Sequence, residues 1–460
     1  MNRTKKCAVA VVLVAAVSAA GLTACSSGNG DGSSGGAATG GATASGAAGS
    51  SAALSAALKK GGALTYWSWT PEAKTQVAEF QKEYPNVTVT YVNAGSGTDQ
   101  YTKISNAIKA GSGAPDVAQF EYTALPQFAY GGDLVDLTQY GLGQDKSLFT
   151  DGAWGNVALG HGLYALPQDQ GPMALFYNKK VFDKYGLTVP TTWSQFVDDA
   201  KKLHAADPSS YLTSDGGDGL FASSLIWQAG GHPYQVDGTS VTINLQDQGA
   251  KKWTSVWNQL VEGQLLSPTP SWTDDWYKQL GNGQIAALVS GAWMPGLLAS
   301  SAPDGKGDWQ AAPMPTYDGG PAVSANYGGS ATAVVKGSKN PELAAAFVQW
   351  LSENDASLKI FMDNAGFPTT VKQLKDPSFA DATNAYFGGQ KVNQVLLAAA
   401  NSVAPGWSWL PYQEYAQTIF ADSVGQAYAN HTDLNAGLVA WQKALVDYGK
   451  TQGFQVTSGQ

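Results

Sequence analysis

Tryptophan, amide and carboxylate side chains follow two predicted strands in the first third of the chain. In LTYWSWTPEAK, Trp67 and Trp69 lie between a predicted strand and a predicted helix. Gln119, Glu121 and Tyr122 come at the end of another apolar run. Indole rings offer flat apolar faces, while amides and carboxylates bond to polar groups. Such a set suits stacking against a ligand, burial in a core, or an enzyme cleft.

Familiar catalytic and metal-binding signatures are absent from the sequence. The four histidines stand far apart, and no HExxH pair, GxxxxGK[ST] loop, GxSxG elbow or GxGxxG turn between a strand and a helix occurs. The run SDGGDG lacks the spacing and the terminal glutamate of an EF-hand, which favours a polar turn over a calcium site. We therefore expect neither a metal nor a cofactor.

One enzymatic alternative stays open, because glycoside hydrolysis needs only two opposed carboxylates, one with a raised pKa. Glu121, Asp169, Asp274 and Asp275 could supply such a pair. Nothing in their spacing requires it. The same carboxylates are ordinary acceptors for sugar hydroxyl groups.

These side chains need a scaffold, and the sequence predicts an α/β one. Apolar and β-branched runs at 62–67, 87–92 and 115–120 alternate with amphipathic helical patterns. Alternating strands and helices predict a doubly wound sheet. Ligands of such sheets bind beyond the carboxyl ends of the strands, which is where both groups of polar and aromatic residues lie.

The first 60 residues are predicted to lie outside the folded body. Basic MNRTKK and an uncharged apolar run predict a signal peptide over 1–24. Leu22–Cys25 resembles a bacterial lipobox, in which Cys25 is acylated; an ordinary secretory cleavage site is the alternative. The only other cysteine, Cys7, lies in the leader, so no disulfide is expected. Gly, Ala and Ser dominate much of 25–60, which predicts a disordered tether behind the acylated cysteine.

The composition narrows the class of partner. The chain has 460 residues and a net charge of −9, and it has no basic stripe, which argues against nucleic acid. Fifteen tryptophans all follow residue 60. This aromatic excess with low charge suits either a large neutral ligand or a large core. A body of roughly 400 residues predicts two domains or lobes.

Four downstream segments carry a family resemblance. They are LPQDQGPMALFYNKKVFDKYGLTVPTTWSQFVDDAKKL (166–203), QLGNGQIAALVSGAW (279–293), NYGGSATAVVKGSKNPELAAAFVQWL (326–351) and AGFPTT (365–370). In order and spacing they resemble the extracellular solute-binding proteins of family 1, the sugar-receptor lipoproteins of ABC importers. The resemblance covers the chain from Gly61 onward. LGNGQ in place of the family's FxxGK is a mild departure.

The resemblance implies a periplasmic-binding-protein-like fold of type II. Two doubly wound α/β lobes are joined by a hinge, with the ligand in the cleft between them. The expected lobes are 61–168 plus 316–352 for the first, and 169–315 plus 353–460 for the second. The expected crossings are near 168–171, 313–316 and 351–354.

The resemblance also implies which side chains line the cleft. Indole stacks on the apolar C–H face of a sugar ring, and amides and carboxylates bond its hydroxyl rim. Trp293 matches a stacking tryptophan of the family, and Trp407 and Trp409 match the place of a late second-lobe tryptophan. The expected ligand-binding set is Trp67, Trp69, Gln119, Glu121, Tyr122, Gln168, Asp169, Gln170, Trp227, Trp272, Asp274, Trp293, Asn326, Gly328, Gly329, Ser330, Trp407 and Trp409.

Core packing competes with ligand binding for every tryptophan. Five tryptophans on helices or at a helix start are assigned to packing: Trp193, Trp253, Trp257, Trp350 and Trp441. Trp227 fits either role. The two roles are evenly balanced for Trp67, Trp69 and Trp272, with at least one of the first pair expected to face the cleft.

The function that the resemblance implies is capture and delivery, without catalysis. A monomeric lipoprotein on the extracellular face of a bacterial cell membrane would bind a neutral di- or oligosaccharide and deliver it to the transmembrane subunits of an ABC permease. Only the lipid on Cys25 would contact the membrane. Xylo-, cello-, galacto- or arabino-oligosaccharides are the expected ligands. The alternatives are a secreted glycoside hydrolase acting through cleft Asp or Glu, and a receptor for a non-sugar solute, which would want more carboxylates and fewer amides.

Overall fold

The computed structural model describes residues 42–317 and 319–459. Its contacts divide the chain into a unit of Met1–Thr43 and a unit of Ala44–Gln460. The predicted signal peptide, the lipobox cysteine Cys25 and the first part of the predicted tether lie outside the described residues. All contacts below belong to the larger unit.

The helices of the described residues are α1 (Ala42–Lys60), α2 (Ala73–Glu83), α3 (Thr98–Ala110), α4 (Leu125–Tyr130), α5 (Asp151–Gly155), α6 (Lys179–Tyr185), α7 (Trp193–Ala206), α8 (Gly219–Gln228), α9 (Gln248–Glu262), α10 (Asp274–Asn282), α11 (Met294–Ser301), α12 (Pro341–Glu353), α13 (Asp355–Asp363), α14 (Val371–Leu374), α15 (Pro377–Ala380), α16 (Val392–Asn401), α17 (Gln413–Phe420), α18 (Gly425–Asn430) and α19 (Leu434–Thr451). In the part of the chain that the structure describes, no helix combines the length and apolarity needed to cross a membrane.

The strands are β1 (Gly62–Trp67), β2 (Val87–Val92), β3 (Val117–Glu121), β4 (Ala158–Leu159), β5 (Gly162–Leu163), β6 (Leu166–Pro167), β7 (Ala174–Asn178), β8 (Thr213–Ser214), β9 (Tyr234–Asp237), β10 (Ser240–Ile243), β11 (Leu266–Ser267), β12 (Ala287–Ser290), β13 (Trp309–Ala312), β14 (Ser330–Val334) and β15 (Gln455–Ser458). The first three strands and the intervening helices form the predicted alternation.

A helix occupies the C-terminal part of the predicted tether. The sequence predicts disorder to residue 60, whereas α1 covers Ala42–Lys60. Leu54 on this helix is 4% exposed and belongs to the core. Alanine has the highest helix propensity, and one buried leucine anchors the helix to the body. The end of the predicted tether next to the body is thus a helix with one buried leucine.

A five-stranded sheet of order β2-β1-β3-β14-β6 forms what we call the first lobe. β1 is parallel to β2 and β3, and β14 runs antiparallel to β3. The register sets Ser330, the first residue of β14, opposite Glu121, the last residue of β3. The carboxyl ends of β1 and β3 therefore meet the start of β14 at one edge of the sheet.

The strands that follow β6, apart from β14, form separate small sheets, and we call the part built around them the second lobe. β12-β7-β13 is antiparallel, and β15-β10-β9 and β11-β8 are further sheets. The chain passes between the lobes after β6 and again between β13 and β14. We keep the names first crossing and second crossing for these two passages.

Tryptophans predicted to pack do so. Trp193, Trp253, Trp257 and Trp441 are almost fully buried. The rings of Trp193 and Trp257 lie edge to face with centroids 5.3 Å apart. Trp350 is 5% exposed, and its indole N–H donates to Glu83 at 2.8 Å. Their burial at helical spacing confirms the packing assignment.

The third crossing lies later than the sequence predicts. α13 was assigned to the second lobe, but it packs against α2 and α12 of the first. Gln76 on α2 donates to the Ser357 hydroxyl on α13 at 2.9 Å. The chain pairs with the first crossing only at Pro368, which bridges Asp169. We therefore place the third crossing at the AGFPTT segment, since α13, with Leu358 and Phe361 buried, packs against α2 and α12.

We predict that Leu358→Ala destabilises the protein by about 2–5 kcal/mol, since it leaves a cavity where α13 packs. Lys359→Ala on the same helix is the matched control, because the Lys359 side chain is 70% exposed. The free energy of unfolding in urea measures both. Equal effects of the two substitutions would contradict the placement of α13.

Candidate functional site

Gln119 connects the strand ends at the edge where β1, β3 and β14 meet. Its amide nitrogen donates to the Ser330 hydroxyl at 2.9 Å. Its amide oxygen accepts from the Ser68 hydroxyl at 2.7 Å and from the backbone N–H of Trp69 at 3.3 Å. Gln119 is only 1% exposed. Its role is therefore to hold the loop that carries Trp69, whose ring contacts Tyr101 edge to face.

Asp169 fastens the first crossing to the same edge. One of its carboxylate oxygens accepts from the backbone N–H and the hydroxyl of Ser330, at 2.6 and 2.5 Å. The Tyr122 hydroxyl donates to the Asp169 carbonyl at 2.9 Å. Burial raises the pKa of Asp169 to about 6, and the bonds from Ser330 oppose the rise.

Two glycines let the second crossing pass close to this network. Gly328 and Gly329 have φ of +76° and +107°. A Cβ on Gly329 would lie 2.8 Å from the ring of Tyr122, and one on Gly328 would lie 3.2 Å from the indole nitrogen of Trp293. Only glycine fits both the space and the backbone conformation.

The second lobe contributes a group of aromatic rings. The Trp293 indole N–H donates to the Tyr327 carbonyl at 2.8 Å, and the two ring centroids are 5.4 Å apart. Trp272 lies 5.7 Å from Trp293 and 5.0 Å from Trp276. Trp272 is 46% exposed and has φ of +71°, which is rare for a residue with a side chain. The structure thus holds a large indole open to solvent beside two packed ones.

Asp218 joins these rings to a helix start. One of its oxygens caps α8 by accepting from the backbone N–H of Leu220 at 2.8 Å, and the other accepts from the Tyr327 hydroxyl at 2.6 Å. A small cavity of about 40 Å³ lies here, and its walls include Asp218, Trp272 and Tyr327. Acceptor and aromatic groups therefore line one concave surface.

The lobes meet at Glu414, which the sequence did not single out. This residue lies on α17 in the second lobe, and its two oxygens accept from the hydroxyls of Thr123 and Thr98 at 3.2 and 3.1 Å. Both threonines belong to the first lobe. Glu414 stands on an amphipathic helix with no neighbouring motif, so only the tertiary arrangement could reveal it.

Glu121 lies close to this contact, at the end of β3. Its carboxylate accepts from the Tyr101 hydroxyl at 3.0 Å, and its backbone N–H donates to the same hydroxyl at 2.9 Å. Burial, and next the negative charge of Glu414, raise the pKa of Glu121 to about 7. The charges of Asp169 and Asp218 also raise the pKa of Glu121, by smaller amounts. Carboxylates from three other parts of the chain therefore act on Glu121.

Trp227, Trp407 and Trp409 lie in a cluster of their own. Trp227 stacks on Trp407 with centroids 5.1 Å apart and planes at 10°, and Trp409 meets both edge-on. The Trp227 indole N–H donates to the Ala404 carbonyl at 2.7 Å. One face of Trp407 is thus taken by another indole. The 404–410 segment thus packs onto α8, away from Trp272 and Trp293 in the aromatic contacts, and the expected ligand-binding role of these three residues stays a prediction.

Some polar residues of the expected set hold neighbouring segments together, and others lie away from these contacts. Gln170 is buried and donates to the Pro368 carbonyl at 3.2 Å, so it ties the first crossing to the third. Gln168 accepts from Thr332 at 3.2 Å. Asn326 is 5% exposed, with no hydrogen-bond partner for its side-chain oxygen. Asp274 is the exposed first residue of α10, where it complements the helix dipole.

Trp67 keeps its place at the end of β1 and is half-buried against the first-lobe core. Asp275, the last member of the possible hydrolytic set, is exposed beside Asp274. Neither aspartate of this pair is among the charges that act on Glu121.

A larger cavity than the one beside Trp272 lies elsewhere. It has a volume of about 660 Å³ and is lined by residues of α13 to α16, including Met362, Phe367 and Phe379. No tryptophan lines it. Within residues 42–317 and 319–459, no group of three His, Cys, Asp or Glu side chains is arranged to hold a metal ion. The aromatic and acidic surface between the lobes is therefore the candidate site.

Comparison with known proteins gives matches over most of the chain. Residues 66–357 match the family described as bacterial extracellular solute-binding protein. A binding protein associated with an ABC transporter of B. animalis subsp. lactis Bl-04, solved with β-1,6-galactobiose, is 41% identical, with a TM-score of 0.80 over 86% of this chain and 99% of that one. The galacto-N-biose/lacto-N-biose I-binding protein of Bifidobacterium longum, solved with lacto-N-biose, is 27% identical, with a TM-score of 0.76 over 86% and 99%.

A curated relative is similar over a comparable span. The arabinooligosaccharide-binding protein of Bacillus subtilis (strain 168) is 25% identical over 74% of this chain and 82% of that protein. Together these matches confirm the family resemblance and the two-lobe α/β fold that the sequence predicts.

We predict that Trp272→Ala weakens saccharide binding roughly ten- to hundredfold, because a stacked aromatic side chain contributes about 1.5–3 kcal/mol. Its exposure means that the melting temperature should change little. Trp407→Ala is the matched control, which should lower stability by about 3 kcal/mol and leave affinity unchanged, since it removes a packed indole. Titration calorimetry and thermal unfolding measure the two effects, and the reverse assignment would mean that the site is misplaced.

Proposed function

The chain belongs to the bacterial extracellular solute-binding protein family, and we propose that it is the receptor of an ABC sugar importer that captures a neutral di- or oligosaccharide. The observation that supports the proposal is the concave surface lined by Asp218, Trp272 and Tyr327. There the exposed indole of Trp272 lies beside Trp293, and Asp218 is one of the carboxylates whose charge acts on Glu121 of the first lobe. Flat apolar faces next to acceptor groups complement a sugar ring and its hydroxyls.

The charges argue against an anionic ligand. Arg3 is the only arginine of the sequence, so the site lacks the guanidinium fork that proteins use for carboxylates and phosphates. The groups that shift the pKa of Glu121 are all acidic or neutral. An anionic ligand would therefore be repelled, whereas hydroxyl groups would donate to these carboxylates.

The relatives suggest which sugars to test first. The 41% identical protein was solved with β-1,6-galactobiose and the 27% identical one with lacto-N-biose. We propose a short galactose-containing saccharide as the ligand class. Of the four classes named from the sequence, the galacto-oligosaccharides are thus preferred, with the arabino-oligosaccharides next because of the Bacillus relative.

The residues fall into stacking and bonding roles in this proposal. Trp272 and Trp293 stack on sugar rings from the second lobe. Trp69, held by Gln119, offers an aromatic edge from the first lobe. Glu121 and Asp169 accept bonds from sugar hydroxyls. Asn326, whose buried side-chain oxygen is free, is a further acceptor.

The same proposal includes a place in the cell. Acylation of Cys25 would anchor the mature chain to the outer face of the cell membrane, and residues after it would act as a leash. The folded unit would then deliver its ligand, as a monomer, to the transmembrane subunits of the permease. Metabolic labelling with a tagged fatty acid, with Cys25→Ser as control, tests the anchor.

One observation favours a second function, hydrolysis of a glycoside. A hydrolase needs a carboxyl with a raised pKa opposite a second carboxylate. Glu121, with a pKa near 7, and Glu414 from the other lobe meet that description. In the receptor proposal, the same pair serves as hydroxyl acceptors and as a contact between the lobes.

Incubation of the protein with a panel of galacto-, arabino-, xylo- and cello-oligosaccharides separates the two functions. We expect a rise in melting temperature with at least one saccharide, because a ligand that binds only the folded state stabilises it. Chromatography of the same mixtures should show the sugars intact. Shorter products would establish the hydrolase, and no thermal shift with any saccharide would contradict the receptor.

A further inference from the structure

The contact between Glu414 and the first lobe has the form of a clamp. Two threonine hydroxyls from different elements of the first lobe, Thr98 at the start of α3 and Thr123 after β3, donate to the two oxygens of one carboxylate. Gln417, one turn further along α17, donates to the same group at 3.2 Å. Hydrogen bonds to a charged acceptor are stronger than neutral ones. These bonds exist only while the lobes lie together.

Glu121 lies beside this contact, because a Cβ on Gly97, the residue before Thr98, would lie 3.5 Å from a carboxylate oxygen of Glu121. Glu121 is the last residue of β3, and Thr123 lies two positions beyond it. Tyr101 on α3 is bonded to Glu121, and its hydroxyl is influenced by the charges of both Glu121 and Glu414. Closing the lobes therefore places the negative charge of Glu414 next to a carboxylate that is itself being removed from water.

We propose that Glu414 is a positioning residue that clamps the lobes over the ligand, and that its approach to Glu121 makes closure take up a proton. The proposal rests on the proposed function, in which the two lobes close around a saccharide. It adds that capture of a neutral ligand is linked to acidity, so that binding tightens as the surroundings become more acidic.

Every charged group that acts on Glu121 raises its pKa. Glu121 is acted on by Glu414 from α17, by Asp169 from the first crossing and by Asp218 from the start of α8. The pKa of Glu414 is itself raised by burial, and its bonds from Thr98, Thr123 and Gln417 oppose the rise. No lysine is among the groups that shift either residue.

One partial compensation comes from α3. Its N-terminus, at Thr98, lies against Glu414, and the positive end of the helix dipole stabilises a negative charge there. This favours keeping the charge on Glu414, which holds the two threonines, and placing the proton on Glu121. The two carboxyls thus have different roles although they lie in one site.

The direction of the pH dependence follows from this difference. In the closed form the pKa of Glu121 is about 7, and its ordinary value is 4.5. When the lobes separate, Glu121 regains water and loses the charge of Glu414, so its pKa falls toward the ordinary value. The closed form then binds more protons between these two values. The stabilisation of the closed form is fully present below the lower pKa and is lost as the pH rises through the upper one.

Asp169 does not link closure of the lobes to proton uptake. Its pKa is raised to about 6, but its bonds go to Ser330 and are made within the framework of the first lobe and the crossing. Opening the cleft leaves those bonds in place. A pH dependence that comes from Asp169 would therefore survive replacement of Glu121.

The test is calorimetric titration of β-1,6-galactobiose, or of whichever saccharide of the panel binds, from about pH 5 to about pH 8. We expect the wild-type affinity to fall by roughly tenfold or more over this range, since one linked proton changes affinity by up to about tenfold per pH unit. Titrations in two buffers of different ionisation enthalpy should show uptake of a fraction of a proton near pH 6.

Three variants separate the parts of the proposal. Glu121→Gln should flatten the pH profile and abolish the proton uptake. Glu414→Ala should weaken binding about tenfold or more near pH 6, because it removes the two threonine bonds to a charged group, which are stronger than bonds to a neutral acceptor. Glu79→Gln, on the outer surface of α2 and paired with Lys82, is the control and should behave as wild type.

A flat wild-type profile, an unchanged profile in Glu121→Gln, or wild-type affinity in Glu414→Ala would each overturn the proposal. Binding of a saccharide without any of these effects leaves the receptor function standing. If no saccharide binds, the proposed function fails. Small-angle scattering of the free protein then tests the clamp separately. A radius of gyration that shrinks on acidification in wild type but not in Glu414→Ala supports the clamp, and an unchanged radius contradicts it.

Discussion

The candidate site depends on one hydrogen-bond network at the sheet edge, in which Ser330 connects Gln119 and Asp169. β14 returns from the second lobe and pairs antiparallel with β3, which places Ser330 opposite the end of that strand. Buried polar groups must be bonded, and here the bonds also join the first crossing to the strand. The loop with Trp69 is held by the same amide. Both the position of the cleft and the orientation of its first-lobe residues follow from this pairing.

The sequence predicted what local pattern controls. β1 and β2 have the predicted bounds because alternating and β-branched residues determine them locally. The family motifs predicted the fold. The placement of α13 could not be read from them, because α13 follows α12 after a single residue and packs against α2, nearly 300 positions earlier. Long-range packing of this kind leaves no mark in a short window of sequence.

The tryptophans show the same difference between features set by local sequence and features set by long-range packing. Helical spacing correctly assigned Trp253 and Trp257 to the core, because one buried face of a helix repeats every three to four residues. Trp272 and Trp407 both stand in loops, where no period exists. Only the structure shows that the first is held open by a left-handed backbone and that the second is covered by Trp227. Loop aromatics can be counted from the sequence, but their role is set by what packs against them.

The charge distribution of the site is the feature that local sequence patterns predicted least well. Glu414 is an unremarkable helical glutamate in the sequence, whereas in the fold it is the group that both attracts two threonines of the other lobe and repels Glu121. Attraction and repulsion at one residue have opposite consequences for closure, and a ligand that donates hydroxyl groups can relieve the repulsion without removing the attraction. A neutral polyhydroxylated ligand is the kind of molecule that does so, since it brings donors without adding charge. The acidity of the cleft and the neutrality of the proposed ligand are therefore two aspects of one electrostatic arrangement.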